Sequence, residues 1–489
     1  MKKMLSFDFG ASSGRAILGT LENGVLITEE MHRFSNDPVE VGGVFHWDVL
    51  RLFYEIKQGI LKCVNAGHTD ISSIGIDTWG VDVGFLDDKG RLIGNPVHYR
   101  DTMTDGIIEK AFEVVPAQEL YGKTGIQFMK FNTLFQLHAM NLSNYAPYKN
   151  ASKMLFMPDL LNYLLTGEMK SEYSIASTSQ MLDAKSRDWQ YDILESFEIN
   201  KDMLCEIVQP GTIIGRVSKD LADKLGCGQI PVVAVTGHDT ASAVVAVPAE
   251  DENNAFISCG TWSLLGVEIN EPKLGDDAFQ AEFTNEGGAF GTIRFLKNII
   301  GLWLNQECKR HWENRGVGLS FSEMAELASK EAPFRCFIDP SDDSFMAPKD
   351  MPQAVKDYCA KTGQNVPETQ GQIVRCIIES LALKYRYAIE NLEKIIGRPI
   401  NTVNMVGGGI KDTMLCQFTA EATGRKVVAG PTEGTAIGNL LIQAYALGEV
   451  KDLKEIRQVV RNSIPLTVYE PANKDAWDKA YEEFLRVTK

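Results

Sequence analysis

Three kinds of short stretch in this chain carry residue types that can do chemistry together. The first is Gly237-His238-Asp239-Thr240, which follows the apolar run 231–235. The β-branched content of that run predicts a buried strand. A carboxylate at the C-terminal end of such a strand, just before a helix, stands where open α/β sheets build their sites. Asp239 can act there as a general base in a partly dry cleft, or it can cap the next helix, since Asp is a favoured N-cap residue. The second stretch is Thr78-Trp79-Gly80-Val81-Asp82, at the exit of a predicted strand over 71–78. An indole and a carboxylate three residues apart suit a sugar, the ring on C–H groups and the carboxylate on hydroxyls; a core Trp beside a surface Asp is the plainer alternative. The third kind is a strand followed by a small-residue turn, at Gly10-Ala11-Ser12-Ser13-Gly14-Arg15, Cys259-Gly260-Thr261 and Gly407-Gly408-Gly409. Such turns point backbone N–H groups and hydroxyls at phosphates, because glycine permits close approach.

The elements that must position these groups follow from pattern. A strand over 4–9 leads into the first turn, and strands 16–21 and 25–31 flank Asn23-Gly24, a strong hairpin signal. A helix over 47–64 precedes the strand 71–78. The pattern then predicts a second hairpin, 81–86 with 92–96, around Asp88-Lys89-Gly90. From about 101 to 200 the rhythm is lost, with helix-like pieces at 131–141 and 155–165, and this region is expected to be an insertion lying over a site. Strand 255–258, turn 259–261 and strand 262–268 repeat the opening of the chain. A long helix over 372–396 stops at Gly397 with Pro399 following, as C-cap chemistry requires. Strand 402–406, a helix to 423, strand 426–429 and helix 435–446 complete the pattern. Two related halves are implied, 1–247 and 248–489, with a hinge expected near 247–255.

Composition sets the class. A chain of 489 residues exceeds what one core holds, and 44% hydrophobic with 23% charged residues describes a globular protein. A net charge of −16 argues against nucleic acid or an anionic membrane as the main partner. No run approaches the roughly 18 apolar residues of a membrane span. The nine cysteines show no CxxC and no Cys/His metal spacing, and their odd count suits a reducing cytoplasm. Spacing alone allows a Cys359–Cys376 bridge, with buried free thiols the expected state. Two motif matches fail on context: Asp8-Phe9-Gly10 lacks the catalytic loop that precedes a protein-kinase metal motif, and Gly122-Lys123-Thr124 lacks the first glycine and strand of a phosphate loop.

Taken together, DFGASSGR (8–15), IGIDTWGVD (74–82), GIQFMKFNTLFQL (125–137), GHDTASAV (237–244), SCGTWSLLG (258–266), TNEGG (284–288), LKNIIGLWL (296–304) and VGGG (406–409) resemble the FGGY carbohydrate kinases from residue 4 to about 470. The extended blocks are most similar to the branch that acts on L-rhamnulose. The resemblance implies an α/β fold of two duplicated actin-like ATPase (ribonuclease H-like) domains with a nucleotide and sugar cleft between them, the first half binding sugar and the second nucleotide. It implies ATP-dependent phosphorylation of L-rhamnulose at its C1 hydroxyl. A related ketose such as L-fuculose or L-xylulose, or an actin-like ATPase that phosphorylates no small molecule, stand as alternatives. By the same resemblance Asp239 is the base, and Gly80, Trp79, Asp82, His238 and Thr240 face the ketose. Ala11, Ser12, Ser13, Gly14, Arg15, Thr261, Asn298, Gln306 and Gly408 hold ATP, and Asp8 orients Mg²⁺ through water. The partners implied are the ketose and ATP, in the cytoplasm, without nucleic acid or membrane. Two departures stand out: Tyr99-Arg100-Asp101-Thr102-Met103 where the wider family has Trp-x-Asp-x-Arg, and Asn132-Thr133-Leu134-Phe135 where it has Lys-x-x-Trp.

Overall fold

A computed structural model describes residues 1–346 and 348–488. It divides into two compact units. Unit 1 holds Met1–Ala246, Glu268–Phe295 and Gly434–Ser463; unit 2 holds Val247–Val267, Leu296–Glu433 and the segment from Ile464 onward.

The main sheet of unit 1 runs in the order Thr212–Arg216, Pro231–Ala234, Ile71–Thr78, Lys2–Phe9, Ser13–Glu22, Val25–Ser35. Lys2–Phe9 pairs antiparallel with Ser13–Glu22 and parallel with Ile71–Thr78, which is in turn parallel to Pro231–Ala234. These inner strands are covered on both faces, one of them by apolar packing and the other by a helix that also meets polar side chains. Leu5, Phe7, Phe9, Ile74 and Ile76 point to one face, against Leu52, Ile56, Ile60 and Cys63 of the helix Val49–Asn65. Strand periodicity sends Ser73, Gly75 and Asp77 to the other face, where the helix Gly434–Ala446 lies. Ser73 Oγ donates to Gln443 Oε1 (2.7 Å) and Asn439 Nδ2 to Asp77 Oδ2 (2.5 Å). That helix crosses Asp239–Val245 so closely that a Cβ on Gly438 would lie 1.8 Å from the Ser242 carbonyl oxygen, which is why glycine is needed there.

The lost rhythm between 101 and 200 has its own core, in which Val83, Phe85, Leu134, Phe135, Phe156, Tyr173 and Trp189 pack together. The expected hairpin of 81–86 with 92–96 forms only next to its turn, where Asp87 N donates to Arg91 O (2.9 Å) and Ile93 N to Phe85 O (2.8 Å). Val83–Leu86 pairs antiparallel with Lys153–Phe156, and only a single bridge joins Leu86 to Leu92. Asp87 fixes the turn: its carboxylate accepts from the backbone N–H of Lys89 (2.9 Å) and Arg91 (2.8 Å).

Unit 2 repeats the plan. Its strands run in the order Ile293–Ile300, Trp262–Ile269, Asn254–Cys259, Thr402–Val406, Lys426–Ala429, Thr467–Tyr469. Asn254–Cys259 pairs antiparallel with Trp262–Ile269 and parallel with Thr402–Val406, as Lys2–Phe9 does with its neighbours. The far edge is antiparallel in both units. The long helix Gln370–Ile396 starts at Thr369, whose Oγ1 accepts from Gln372 N (3.1 Å), and stops at the left-handed Gly397 (φ 73°). Among the described residues no helix is long and apolar enough to cross a membrane.

Candidate active site

Three carboxylates of unit 1 meet where its inner strands end. Asp8 and Asp77 are direct neighbours on parallel strands, and Asp8 sits opposite Arg15 across the first hairpin, with a 2.7 Å ion pair between Oδ2 and Nη2. Asp77 is fully buried. Burial first, and then the charge of Asp8, push its pKa well above the carboxylate range; the hydrogen bond from Asn439 opposes them and the charge of Asp239 adds to them. One oxygen of Asp77, Oδ1, has no hydrogen-bond partner. A buried, unpaired carboxylate oxygen among three acidic groups is a place that favours a cation.

Asp239 opens the helix Asp239–Val245 as its first residue, while His238 occupies the N-cap position. Asp239 is therefore not the N-cap residue itself, and its side chain reaches only the amide next to it. Its Oδ1 accepts instead from Thr240 N (2.5 Å) and Thr240 Oγ1 (3.1 Å), and His238 Nε2 stands 3.5 Å from the same atom. All three contacts fall on one oxygen. Oδ2 has no partner among the described residues, and the side chain is 30% exposed, so this carboxylate is open on one side.

His238 is held from behind. Its Nδ1 lies 3.2 Å from Arg294 Nη2 and 3.4 Å from Glu286 Oε2, and the latter two are 3.1 Å apart. Arg294 is fully buried, and its guanidinium can only donate. With Nδ1 assigned as the acceptor from Arg294, the ring carries its proton on Nε2, facing Asp239. Burial raises the pKa of Glu286, but the charge of Arg294, with contributions from His238, more than offsets it and holds the carboxyl below its ordinary range. Arg294 Nε also donates to the Gly287 carbonyl (2.8 Å), and Gly287 N to Ser177 Oγ (2.7 Å), so the 284–288 block is fixed on the region of 101–200.

The Thr78–Asp82 stretch is a strained turn. Val81 has φ 67°, a left-handed conformation that a β-branched residue avoids, and Asp82 N donates to the Gly80 carbonyl (2.9 Å), closing a γ-turn. Thr178 Oγ1 accepts from Val81 N (3.2 Å) and Thr133 Oγ1 donates to its carbonyl (2.6 Å), which keeps the strain in place. The turn does two things. It brings Gly80 to His238, so that a Cβ on it would stand 3.5 Å from Nε2. It also turns Asp82 inward, where the carboxylate accepts from Trp47 Nε1 (2.6 Å), Trp79 Nε1 (3.0 Å), Gln136 Nε2 (2.9 Å) and Tyr99 N (3.2 Å). Burial nevertheless pushes Asp82 up to about 7 against those hydrogen bonds. Trp79 is 5% exposed and stacks on Trp47 with ring centres 3.7 Å apart, and Trp47 on His98 at 4.1 Å. Trp79 and Asp82 thus belong to an aromatic wall whose donors converge on one buried carboxylate.

Each unit contributes one small-residue hairpin turn. In unit 1, Asn36 ties the turn down: its N–H donates to Ser12 O (3.0 Å) and its side-chain amide to Gly10 O (2.8 Å). Ser12 is exposed, with Ala11, Ser13 and Arg15 partly so, while Gly14 is buried against Phe34. In unit 2, Thr261 Oγ1 donates to Gln306 Oε1 (3.2 Å), bringing together two of the expected nucleotide residues. Asn298 lies on the strand Ile293–Ile300. Gly408 is exposed with open space where a Cβ would stand, whereas Gly407 (φ 91°) and Gly409 press on Cys259.

Asp77, Asn36, Glu286, Arg294 and Asn439 were not singled out by the sequence. A carboxylate inside the apolar strand 71–78 and a guanidinium inside 293–300 are the signals that point to them, because charges are almost never fully buried without a partner.

The FGGY family of carbohydrate kinases matches twice, its N-terminal domain over residues 3–246 and its C-terminal domain over 255–447. A rhamnulokinase of Bacteroides thetaiotaomicron is 47% identical over 483 residues, covering 99% of this chain and 99% of that protein. Another, from Oceanobacillus iheyensis, is 42% identical over 465 residues, covering 95% and 97%. Among solved structures, a ligand-bound xylulose kinase from Lactobacillus acidophilus superposes with a TM-score of 0.82 at 17% identity, covering 100% of this chain and 98% of that one. A Plasmodium falciparum glycerol kinase with ADP gives 0.78 at 16% identity, covering 99% and 98%.

Proposed function

The chain belongs to the FGGY family of carbohydrate kinases, and from that premise we propose that it transfers the γ-phosphoryl group of ATP to the C1 hydroxyl of L-rhamnulose, giving L-rhamnulose 1-phosphate and ADP. The observation that carries the mechanism is the one-sided engagement of Asp239. Thr240 and His238 all address Oδ1, so Oδ2 is left to take the proton of the attacking hydroxyl. His238, oriented by Arg294 and Glu286, presents Nε2–H toward that carboxylate and the adjoining sugar hydroxyl. Gly80 brings backbone beside His238, and Thr240 completes the sugar side. Asp82 acts as a positioning residue: it fixes Trp79, Trp47 and the Tyr99 backbone into one wall for the ketose.

Phosphoryl transfer asks a protein mainly for alignment and charge stabilisation. By the family resemblance, Ala11, Ser12, Ser13, Gly14, Arg15, Thr261, Gln306, Asn298 and Gly408 are the residues that would hold ATP. Asp8, with Asp77 and Asp239, provides a donor set that fits Mg²⁺, Asp77 Oδ1 being the unpaired oxygen in it. The ion, when bound, would neutralise charge on the transferred group.

The test is ADP release measured across L-rhamnulose, L-fuculose, L-ribulose, D-xylulose and glycerol. L-rhamnulose is expected to lead in kcat/KM, because sites that hydrogen-bond a hydroxyl reject misfits by up to about 10⁴. Another ketose in first place would replace the substrate; ATP turnover indifferent to every sugar would overturn the kinase assignment.

A further inference from the structure

Unit 2 contains a cluster that phosphoryl transfer does not use. Cys336, Cys359 and Cys376 come from three separate segments, yet their Sγ atoms all lie within 4.8 Å of one another. They are 4%, 0% and 1% exposed, and none is bridged. Cys359 lies on the helix Met351–Lys361 and Cys376 on Gln370–Ile396. Cys336 lies on an irregular segment, and that segment is pinned to both helices. The Gln364 amide clamps the Phe337 backbone, accepting from its N–H (2.8 Å) and donating to its carbonyl (2.8 Å), while Gln364 N donates to Cys359 O (2.9 Å). Ser380 Oγ, one turn beyond Cys376, accepts from Ile338 N (3.0 Å). A surface pocket lined by Arg335, Cys336, Gln372, Arg375, Cys376 and Glu379 opens onto two of the three thiols.

We propose that these three cysteines form a binding site for one thiophilic d¹⁰ cation, zinc being the fitting ion. Zinc–sulfur bonds of about 2.3 Å place tetrahedral sulfurs roughly 3.8 Å apart, so the triangle needs to contract by no more than about 1 Å. Thiolates select zinc and monovalent copper over magnesium or calcium. The pocket provides the entry path, and Arg335 on its wall offsets part of the tris-thiolate charge, Arg375 being paired with Glu379 (2.7 Å). On binding, three S–H bonds are replaced by three S–Zn bonds and three protons pass to solvent. The backbone clamps hold the sulfurs together in advance, which distinguishes this arrangement from small thiols that merely fill a core.

The experiment uses the full chain, reduced and stripped of metal, with nine free thiols counted first. Zinc is titrated against a chromophoric chelator, and cobalt(II) is added separately as an optical probe. One equivalent of zinc per chain is expected, with thiolate-to-cobalt charge-transfer bands in the near ultraviolet. Cys336→Ser, Cys359→Ser and Cys376→Ser should each weaken zinc binding at least about 100-fold, and Cys227→Ser should leave it unchanged. Should a variant fail to fold, alkylation mapped on the unaltered chain decides: zinc must protect these three cysteines and no others. The site is overturned by cobalt spectra without sulfur bands, by zinc binding that survives all three substitutions, or by a Cys359–Cys376 disulfide persisting in the zinc-treated chain.

Discussion

The two hairpins that open units 1 and 2 are the same device with different contents. In each, a central strand turns back on an antiparallel partner and lies parallel to a later strand. One rung before the turn, unit 1 places Asp8 opposite Arg15 and beside Asp77; the matching rung of unit 2 places Ser258 opposite Leu264 and beside Val406. One half of the duplicated plan therefore concentrates charge at its strand ends, and the other keeps them neutral and packs glycines 407 and 409 against Cys259. Backbone topology supplies the turn, and the side chains of one rung decide whether it does charge chemistry or only holds a ligand by its main chain.

The contrast breaks most sharply at Asp239. Asp239→Asn keeps the shape of the side chain and the helix start, so stability should change by less than roughly 1 kcal/mol, while kcat falls by about 10²–10⁴, the usual worth of a positioned base. In unit 2, Thr261→Val should chiefly raise KM for ATP, by about tenfold, with kcat nearly kept. Turnover, sugar affinity and melting temperature measured on both variants check this; near-normal turnover in Asp239→Asn would sink the assignment of the base.

Giving unit 1 the rung of unit 2 sharpens the comparison next. Asp8→Ser with Arg15→Leu removes both partners of the ion pair, and replacing such a pair wholesale is close to neutral for stability. Turnover should still drop on the order of 10²-fold, with a weaker response to added magnesium. A double variant that keeps full activity and an unchanged magnesium titration would show that the charged rung is dispensable.

How much of this was legible in the sequence depends on the range of the interaction. Strand ends and turns were, because Asn23-Gly24, the triple glycine and Gly397 carry local backbone preferences. Membership of the family was, through the motif resemblance. The hairpin at 81–96 shows the limit: Asp88-Lys89-Gly90 turns the chain and the first ladder bonds form, but the main partner of Val83–Leu86 lies some seventy residues on. Glu286, inside a quoted block, and Arg294, a charge inside an apolar strand, carried a signal, but their place behind His238 was not legible, since only the fold brings the 284–295 segment there.

Two buried carboxylates of unit 1 should respond oppositely to pH. Glu286 is held below its ordinary range, so the stability it contributes is fully present above the unfolded carboxyl value of about 4.3 and is lost as pH falls through its folded value. Asp82, pushed up to about 7, binds its proton more tightly folded than unfolded, so stability declines as pH rises from about 4 to about 7 and is level above that. Unfolding free energy measured against pH should fall less steeply over that range in Asp82→Asn, the remaining slope coming from Asp77 and the other carboxyls that burial raises. Glu286→Gln leaves the Arg294 charge buried alone and should cost about 3–5 kcal/mol, with KM for the ketose rising as His238 loses its support. An Asp82→Asn profile as steep as the parent's between pH 4 and 7 would assign the slope elsewhere.

The smallest effect separates the hairpins as packing problems. A Cβ on Gly14 would lie 2.2 Å from the Phe34 ring, which is itself seated against Phe9 (5.4 Å between ring centres) and His32 (5.3 Å). The ring cannot swing away without opening that stack, so Gly14→Ala should cost about 1–3 kcal/mol, the usual range for overpacking. On Gly260 the same carbon would meet only the Trp262 carbonyl oxygen at 3.7 Å, an ordinary contact, and its backbone is not left-handed. Gly260→Ala should therefore stay within about 0.5 kcal/mol of the parent. Denaturant unfolding of the two variants side by side checks the pair. Equal losses would mean that the unit 1 turn yields as easily as the unit 2 turn, and that the Phe34 stack does not hold Gly14 in place.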